Sequence, residues 1–332
     1  MRPASRPARP PAVRRWSPAR RAARGLAVGA ALITGLAGGT RPARAYVQYH
    51  VLDQNTGLPT NVLSHWTQSC IPLTAYPNDL ADMTADQVTL AATSAAASWS
   101  KGSLPCTFMD IEVSTSTGPT RAAANDVYNV LVFRNPWCDP ADPTGCVRDA
   151  LAITSVWSSI RTGVITNGDI EVNSENFVWA DLVINPANGK QDLQNALTHE
   201  MGHLIGLDHN CYTPGVDPAR QIDNLGNPVP DCAGAPQAVV DATMYTKADP
   251  GDLSKRTLAP DDQQAVCDIY PAAQAINYCP VPGAGQGGCS CHAGGNGGGA
   301  SDLGAAALAF VFVGLGVALA RARTRTRRSR RC

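Results

Sequence analysis

The chain has 332 residues, 44% hydrophobic and 16% charged, and its 27 basic and 27 acidic residues sum to zero net charge. That length allows one or two domains. The zero conceals an asymmetry: ten arginines fall in residues 1–45 and seven in 321–332, and residues 46–288 hold the other ten basic residues against 26 of the 27 acids, a charge near −16 that excludes nucleic acid as a partner.

Residues 1–25 are rich in arginine and carry no acid; residues 26–37 are apolar, and Ala43-Arg44-Ala45 is an Ala-x-Ala cleavage pattern. This layout predicts a secretory signal peptide over residues 1–45, cut before Tyr46. Residues 46–280 then read as one domain without internal repeats. The spacing predicts a helix over residues 83–100, with Thr84 and Gln87 as a capping box and Val88, Ala91, Ala92, Ala95 and Trp99 on its buried side. Strands are predicted over 107–113, 127–133, 151–157 and 169–173. A second helix over 191–205 buries Leu193, Ala196, Leu197, Met201 and Leu204. A third begins at Pro260, with Asp261 and Asp262 at the positive end of its dipole. The order predicts an α+β fold.

Residues 281–302 are a glycine-rich linker containing Cys289, Cys291 and His292. Residues 303–320 are uncharged and apolar, and the arginines of 321–332 follow, which predicts a membrane helix with a cytoplasmic tail. A cleaved signal places the intervening domain outside, in agreement with that topology. Of eleven cysteines, eight lie between Cys70 and Cys279, with no Cys-x-x-Cys pair among them. An even number behind a signal peptide reads as disulfides rather than a metal cluster. Proximity in sequence pairs Cys138–Cys146, Cys211–Cys232, Cys267–Cys279 and Cys70–Cys106.

The chemistry concentrates in Thr198-His199-Glu200-Met201-Gly202-His203-Leu204-Ile205-Gly206-Leu207-Asp208-His209. His199 and His203 are four apart and share one helix face, so both rings can close on one ion. Glu200 stands beside the first ligand, where it can take a proton from metal-activated water. Gly206 lets the backbone leave the helix and turn, bringing His209 round as the third ligand. A fourth position left to water marks a catalytic zinc rather than a structural one. Glycine is about 7% of residues, so requiring Gly206 cuts chance matches more than tenfold.

His199-Glu-x-x-His203-x-x-Gly206-x-x-His209 resembles the metzincin signature. Met244-Tyr245, 35 residues past His209, resembles the methionine turn of that family in its matrixin register. Residues 151–157 and 168–173 resemble the matrixin edge strand and its neighbour, and 258–262 the start of the C-terminal helix. The resemblance implies a zincin fold with a mixed twisted sheet, His199, His203 and His209 on one zinc, Glu200 as base and Met244 beneath the metal. It also implies a peptide lying antiparallel along the edge strand at Leu151, Ala152, Ile153 and Thr154, and a pocket wall from the loop between Met244 and Leu258. The sequence departs from the pattern in three places. Asn210 follows the third histidine where serine is common, and both the cysteine-switch propeptide and the histidine-rich segment of a second, structural zinc are missing.

Calcium is an alternative at Asp139, Asp142, Asp169 and Glu171, where solvated surface carboxylates are the competing reading. The tail from Gly287 to Cys332 resembles the Myxo-CTERM sorting tail of myxobacterial surface proteins, which implies processing near the cysteines and delivery to the surface; a plain membrane anchor is the alternative. Together these readings predict a monomeric, surface-delivered zinc metalloendopeptidase acting on protein or peptide. The rivals are a retired protease fold used for binding or adhesion, and a zinc amidase acting on cell-wall links.

Overall fold

A computed structural model describes residues 45–139, 147–275, 279 and 305–313. Strands β1 (His50–Leu52) and β2 (Pro59–Leu63) form an antiparallel pair near the start of the domain. They are followed by β3 (Cys70–Ala75), α1 (Ala85–Trp99), β4 (Asp110–Thr115), β5 (Val130–Arg134), β6 (Ala150–Ser159) and β7 (Ile165–Asn173). The short parallel pair β8 (Trp179–Ala180) and β9 (Gln191–Asp192) leads into α2 (Leu193–Leu204). After α2 come α3 (Gln237–Val240), α4 (Pro260–Ile269) and β10 (Ala305–Val313). This is a mixed α/β protein of the α+β kind.

Five strands form a mixed sheet in the order β6-β7-β5-β3-β4, and β10 adds to its β6 side. The strands from β4 to β7 run parallel to one another, and β6 turns back antiparallel to β7. Parallel strands are covered on both faces and therefore read as continuous apolar runs. Val130, Leu131, Val132 and Phe133 of β5 are accordingly all buried. β6 was legible over 151–157 and β7 over its later residues, 169–173, whereas β1, β2 and β3 gave no sequence signal strong enough to predict.

The helix α1 begins at the expected Thr84–Gln87 capping box and buries Val88, Ala91, Ala92, Ala95, Ala96 and Trp99. Its alanines pack in the apolar core that it shares with α2. Trp99 fixes the pair: its indole N–H donates to the Thr198 carbonyl at 2.8 Å. The two helices, the sheet and Tyr270 share one large apolar core.

Two expected cysteine pairings are corrected. Cys70 bonds Cys279 and Cys106 bonds Cys267, in place of Cys70–Cys106 and Cys267–Cys279. Sequence proximity fails here because the end of α4 returns to the start of the sheet, placing partners 209 and 161 residues apart side by side. Cys211–Cys232 forms as expected. Cys138 is disulfide-bonded, and Cys146, its expected partner, lies outside the described residues.

Of the expected membrane helix over 303–320, only residues 305–313 lie among the described residues. Residues 305–313 are strand, and among the described residues no helix is long and apolar enough to cross a membrane. An apolar run of Ala, Leu, Phe and Val satisfies its backbone equally well on a sheet edge, and composition alone does not separate the two states. Residues 1–44 of the expected signal peptide, the linker cysteines and the arginine tail lie outside the described residues.

Candidate metal centre

In α2 every residue except Gln194 is buried, although four of the buried side chains are Thr198, His199, Glu200 and His203. Buried polar groups need partners, so this helix is where the partners have to be found. Asp192 starts it, accepting the Asn195 N–H at 2.9 Å as an N-cap. Arg256 grips the same carboxylate, from Nε to Oδ1 at 2.8 Å and from its terminal nitrogen to Oδ2 at 2.6 Å.

The other end is a Schellman cap. The Gly206 N–H donates to the His203 carbonyl at 2.9 Å and the Leu207 N–H to the Gly202 carbonyl at 3.0 Å. Gly206 has φ +92°, and a Cβ there would stand 2.7 Å from the Ser64 carbonyl oxygen, so both conformation and space demand glycine. Trp66 Nε1–H and the Tyr270 hydroxyl donate to the Leu204 and Ile205 carbonyls, each at 2.7 Å, satisfying groups a helix end leaves open. The turn brings His209 back to the two helical histidines.

The three rings meet through Nε2. His203 Nε2 lies 3.1 Å from that of His199 and 3.2 Å from that of His209. Nitrogens held about 2.0–2.1 Å from a tetrahedral ion stand about 3.3 Å apart, which this spacing matches. The opposite ring nitrogens settle the proton positions. His199 Nδ1 faces the Thr243 carbonyl at 2.7 Å and His203 Nδ1 faces the Leu207 carbonyl at 2.8 Å. Carbonyls only accept, so both Nδ1 atoms carry hydrogen and both Nε2 atoms are bare when the rings are neutral. Burial holds the rings neutral, pushing His203 down to about 3 and His199 and His209 well below the ordinary histidine value. Bare lone pairs 3.1 Å apart repel unless a cation lies between them, so the donor set fits a nitrogen-bound metal ion. Two of the three rings also have the carbonyl support that orients metal-bound histidine.

Glu200 is fully buried beside these rings. The Thr154 hydroxyl donates to its Oε2 at 2.5 Å, while Oε1 is buried with no partner among the described residues. Burial pushes the carboxyl up to about 8 against the opposing pull of Thr154. Thr154, expected only as part of a peptide-binding strand, is thus also the residue that holds Glu200. Leu151, Ala152 and Ile153 lie with it on β6, as expected, but β10 pairs along the outer side of that strand.

Met244 packs under α2 between the first two histidines: a Cβ on Gly202 would come within 2.3 Å of Met244 Sδ and 2.9 Å of the Trp99 ring. Asp262 sets this turn. Its Oδ2 accepts the Thr243 N–H at 2.7 Å, and the Met244 N–H also points to this carboxylate. A chain of contacts therefore runs from Asp262 through Thr243 to His199. The sequence suggested only a helix-dipole role for Asp262, because a partner 19 residues away leaves no local pattern. The segment after Met244 is anchored where the Lys255 N–H donates to Asn195 Oδ1 at 2.7 Å, joining it to the first turn of α2. A cavity of about 260 Å³ opens beside His209, bordered by Tyr49, His50, Asp217, Arg220 and Thr246.

Two of the alternative calcium carboxylates, Asp169 and Glu171, are engaged by protein groups. Asp169 accepts the Val130 and Ala124 N–H groups at 2.9 and 2.8 Å, and Glu171 pairs with Arg134 at 2.8 Å. Among the described residues Asp139 is not part of a cluster of three metal-ligating side chains, and Asp142 lies outside the described residues. In comparisons with protein-family models and with curated proteins, the chain matches none.

Proposed function

We propose that the chain is an exported zinc metalloendopeptidase with a metzincin-like, matrixin-like catalytic domain. The observation that carries the reading is the meeting of three buried Nε2 atoms, two of them fixed as bare by their carbonyl partners, beside a buried carboxylate with one free oxygen. The His199-to-His209 spacing and the placement of Met244 under Gly202 support the family resemblance. The disulfides suit an oxidising compartment, in line with export to the cell surface.

A zinc ion held by His199, His203 and His209 would acidify water and polarise the scissile carbonyl. Glu200 does the proton work. Its Oε1 takes the proton as water attacks the carbonyl carbon, and the same carboxyl returns it to the amine nitrogen as the C–N bond breaks. Thr154 holds Oε2, so the carboxylate keeps one orientation through both transfers. The substrate backbone adds as an antiparallel strand at Leu151–Thr154 of β6, and the segment from Met244 to Leu258 walls the pocket for the residue after the cut.

The test is metal analysis of the purified protein together with cleavage of an unfolded protein. The reading expects one zinc per chain and cleavage that a chelator abolishes. Glu200→Ala should keep the zinc and lose about 10²–10⁴-fold in rate. A folded, zinc-loaded Glu200→Ala protein cleaving at the wild-type rate would refute the assignment. Zinc without cleavage of any protein would favour a binding module, and cleavage confined to cell-wall amides an amidase.

A further inference from the structure

The cavity of about 260 Å³ beside the metal centre has His209 in its wall. Two segments far apart in sequence enclose it. β1 and β2 supply one side, through Leu52 and Thr60, and the loop closed by the Cys211–Cys232 disulfide supplies the other, through Val216, Asp217 and Ile222. At about 30 Å³ per water molecule the space equals roughly nine waters, room for one long side chain.

Three side chains on the wall, Asp208, Asp217 and Gln221, gather acceptors at one place. Asp208 Oδ1 accepts the His209 N–H at 2.7 Å, and Asp217 Oδ2 accepts the Thr213 N–H at 2.6 Å. The Gln221 side chain hydrogen-bonds to both carboxylates. Ionised carboxylates only accept, so Gln221 gives them its amide hydrogens, and its Oε1 is left buried with no partner among the described residues. No lysine or arginine among those residues pairs with either carboxylate. Arg220, on the same wall, gives its guanidinium to the Val229 carbonyl and to Asp231. A buried acceptor without a donor carries a desolvation cost that a bound donor removes. Leu52, Val216 and Ile222 make other parts of the wall apolar. Such a cavity complements an aliphatic stem with a cationic head that only donates, the chemistry of arginine and lysine.

We infer that this cavity is a subsite for a basic side chain of the substrate, on the N-terminal side of the cleaved bond. The side follows from β2, whose end bonds to the late end of β6: Ser64 Oγ donates to Ser158 Oγ at 3.4 Å, and the His65 N–H to the Gly163 carbonyl at 2.9 Å. A peptide antiparallel to β6 passes those late residues with its N-terminal half, while Thr154 and Glu200 mark the cut. The inference rests on the proposed function for the cut, whereas the cavity and its acceptors stand without it.

The experiment moves one arginine, or its uncharged isostere citrulline, through each position of an otherwise neutral short peptide. Affinity is read by fluorescence anisotropy on the zinc-loaded full chain carrying Glu200→Ala, and cleavage on the zinc-loaded full chain without it. At one position arginine should bind about tenfold or more tighter than citrulline, and cleavage should fall C-terminal to that position. Asp217→Asn, which removes a charge, and Val216→Trp, which fills the space, should each reduce that ratio by about threefold or more when added to Glu200→Ala. Val216 is exposed, so its variant keeps the core where Asp217→Asn disturbs folding. No binding, equal affinity for the two peptides at every position, a preference that every folded variant keeps, or a preferred arginine C-terminal to the cut would overturn the inference. Arginine preference without any cleavage would support the subsite while removing the protease reading, and cleavage without arginine preference would do the reverse.

Discussion

Thr154→Val is close in shape to the native residue and removes the hydroxyl that donates to Glu200 Oε2 at 2.5 Å. It leaves a fully buried carboxylate without either of its oxygens paired, since Oε1 already lacks a partner. A hydrogen bond is worth about 1.5–3 kcal/mol to the charged group and about 1 kcal/mol to the neutral one, and one pKa unit is about 1.4 kcal/mol, so the carboxyl should rise by roughly 0.5–1.5 units. In the metal-free protein Glu200 already sits at about 8, above its ordinary 4.5. A carboxyl raised on folding gives stability that is full below 4.5 and lost as pH climbs through 8. In the variant that loss continues to higher pH. The variant should therefore be less stable than wild type by about 1 kcal/mol at pH 5, from the lost neutral hydrogen bond, and by roughly 0.5–1 kcal/mol more at pH 9. Urea unfolding of metal-free protein at the two pH values measures this directly. In zinc-loaded enzyme the acid limb of the rate profile should move to higher pH in the same sense. A stability difference that does not change between pH 5 and pH 9 would refute the coupling of Thr154 to the charge on Glu200.

Two further substitutions test the support of the centre. Gly202→Ala forces a methyl against Met244 Sδ and the Trp99 ring. It should cost about 1–3 kcal/mol by overpacking, read as a lower melting temperature with or without metal. Asp262→Ala strips the partner of the Thr243 N–H and loosens the carbonyl that orients His199. Zinc affinity should fall about 10–100-fold, measured by competition with a coloured chelator, and unaltered affinity would remove Asp262 from the support of the site.

Much of this protein is written locally. The Thr84–Gln87 box, the apolar spacing of α1, the start of α4 at Pro260 and the whole of residues 199–209 depend on neighbours within about one or two helical turns, which a sequence displays as period and spacing. The Schellman turn at Gly206 is of the same kind, since its bonds span only five residues from Gly202 to Leu207. The ends of β4 and β5 shifted by a few residues, and β3 was missed, because strand limits are decided by the strands alongside and not by the strand itself.

What only the tertiary structure decided are pairings across long separations. Cys70 finds Cys279 because the chain after α4 returns to the sheet, a closure that no spacing rule encodes. Thr154 reaches Glu200 across 46 residues and Asp262 reaches Thr243 across 19, each through a contact between different elements. The apolar run at 305–313 carries the same residues whether it lies in a bilayer or on β6, and the partner available to its backbone decides between them. The sequence by itself determined which three histidines and which carboxylate form the centre, because one helix and one turn hold them. The orientation of His199 and Glu200 was decided by the Thr243 carbonyl and the Thr154 hydroxyl, supplied from elsewhere in the fold because burial requires each polar atom to find a partner.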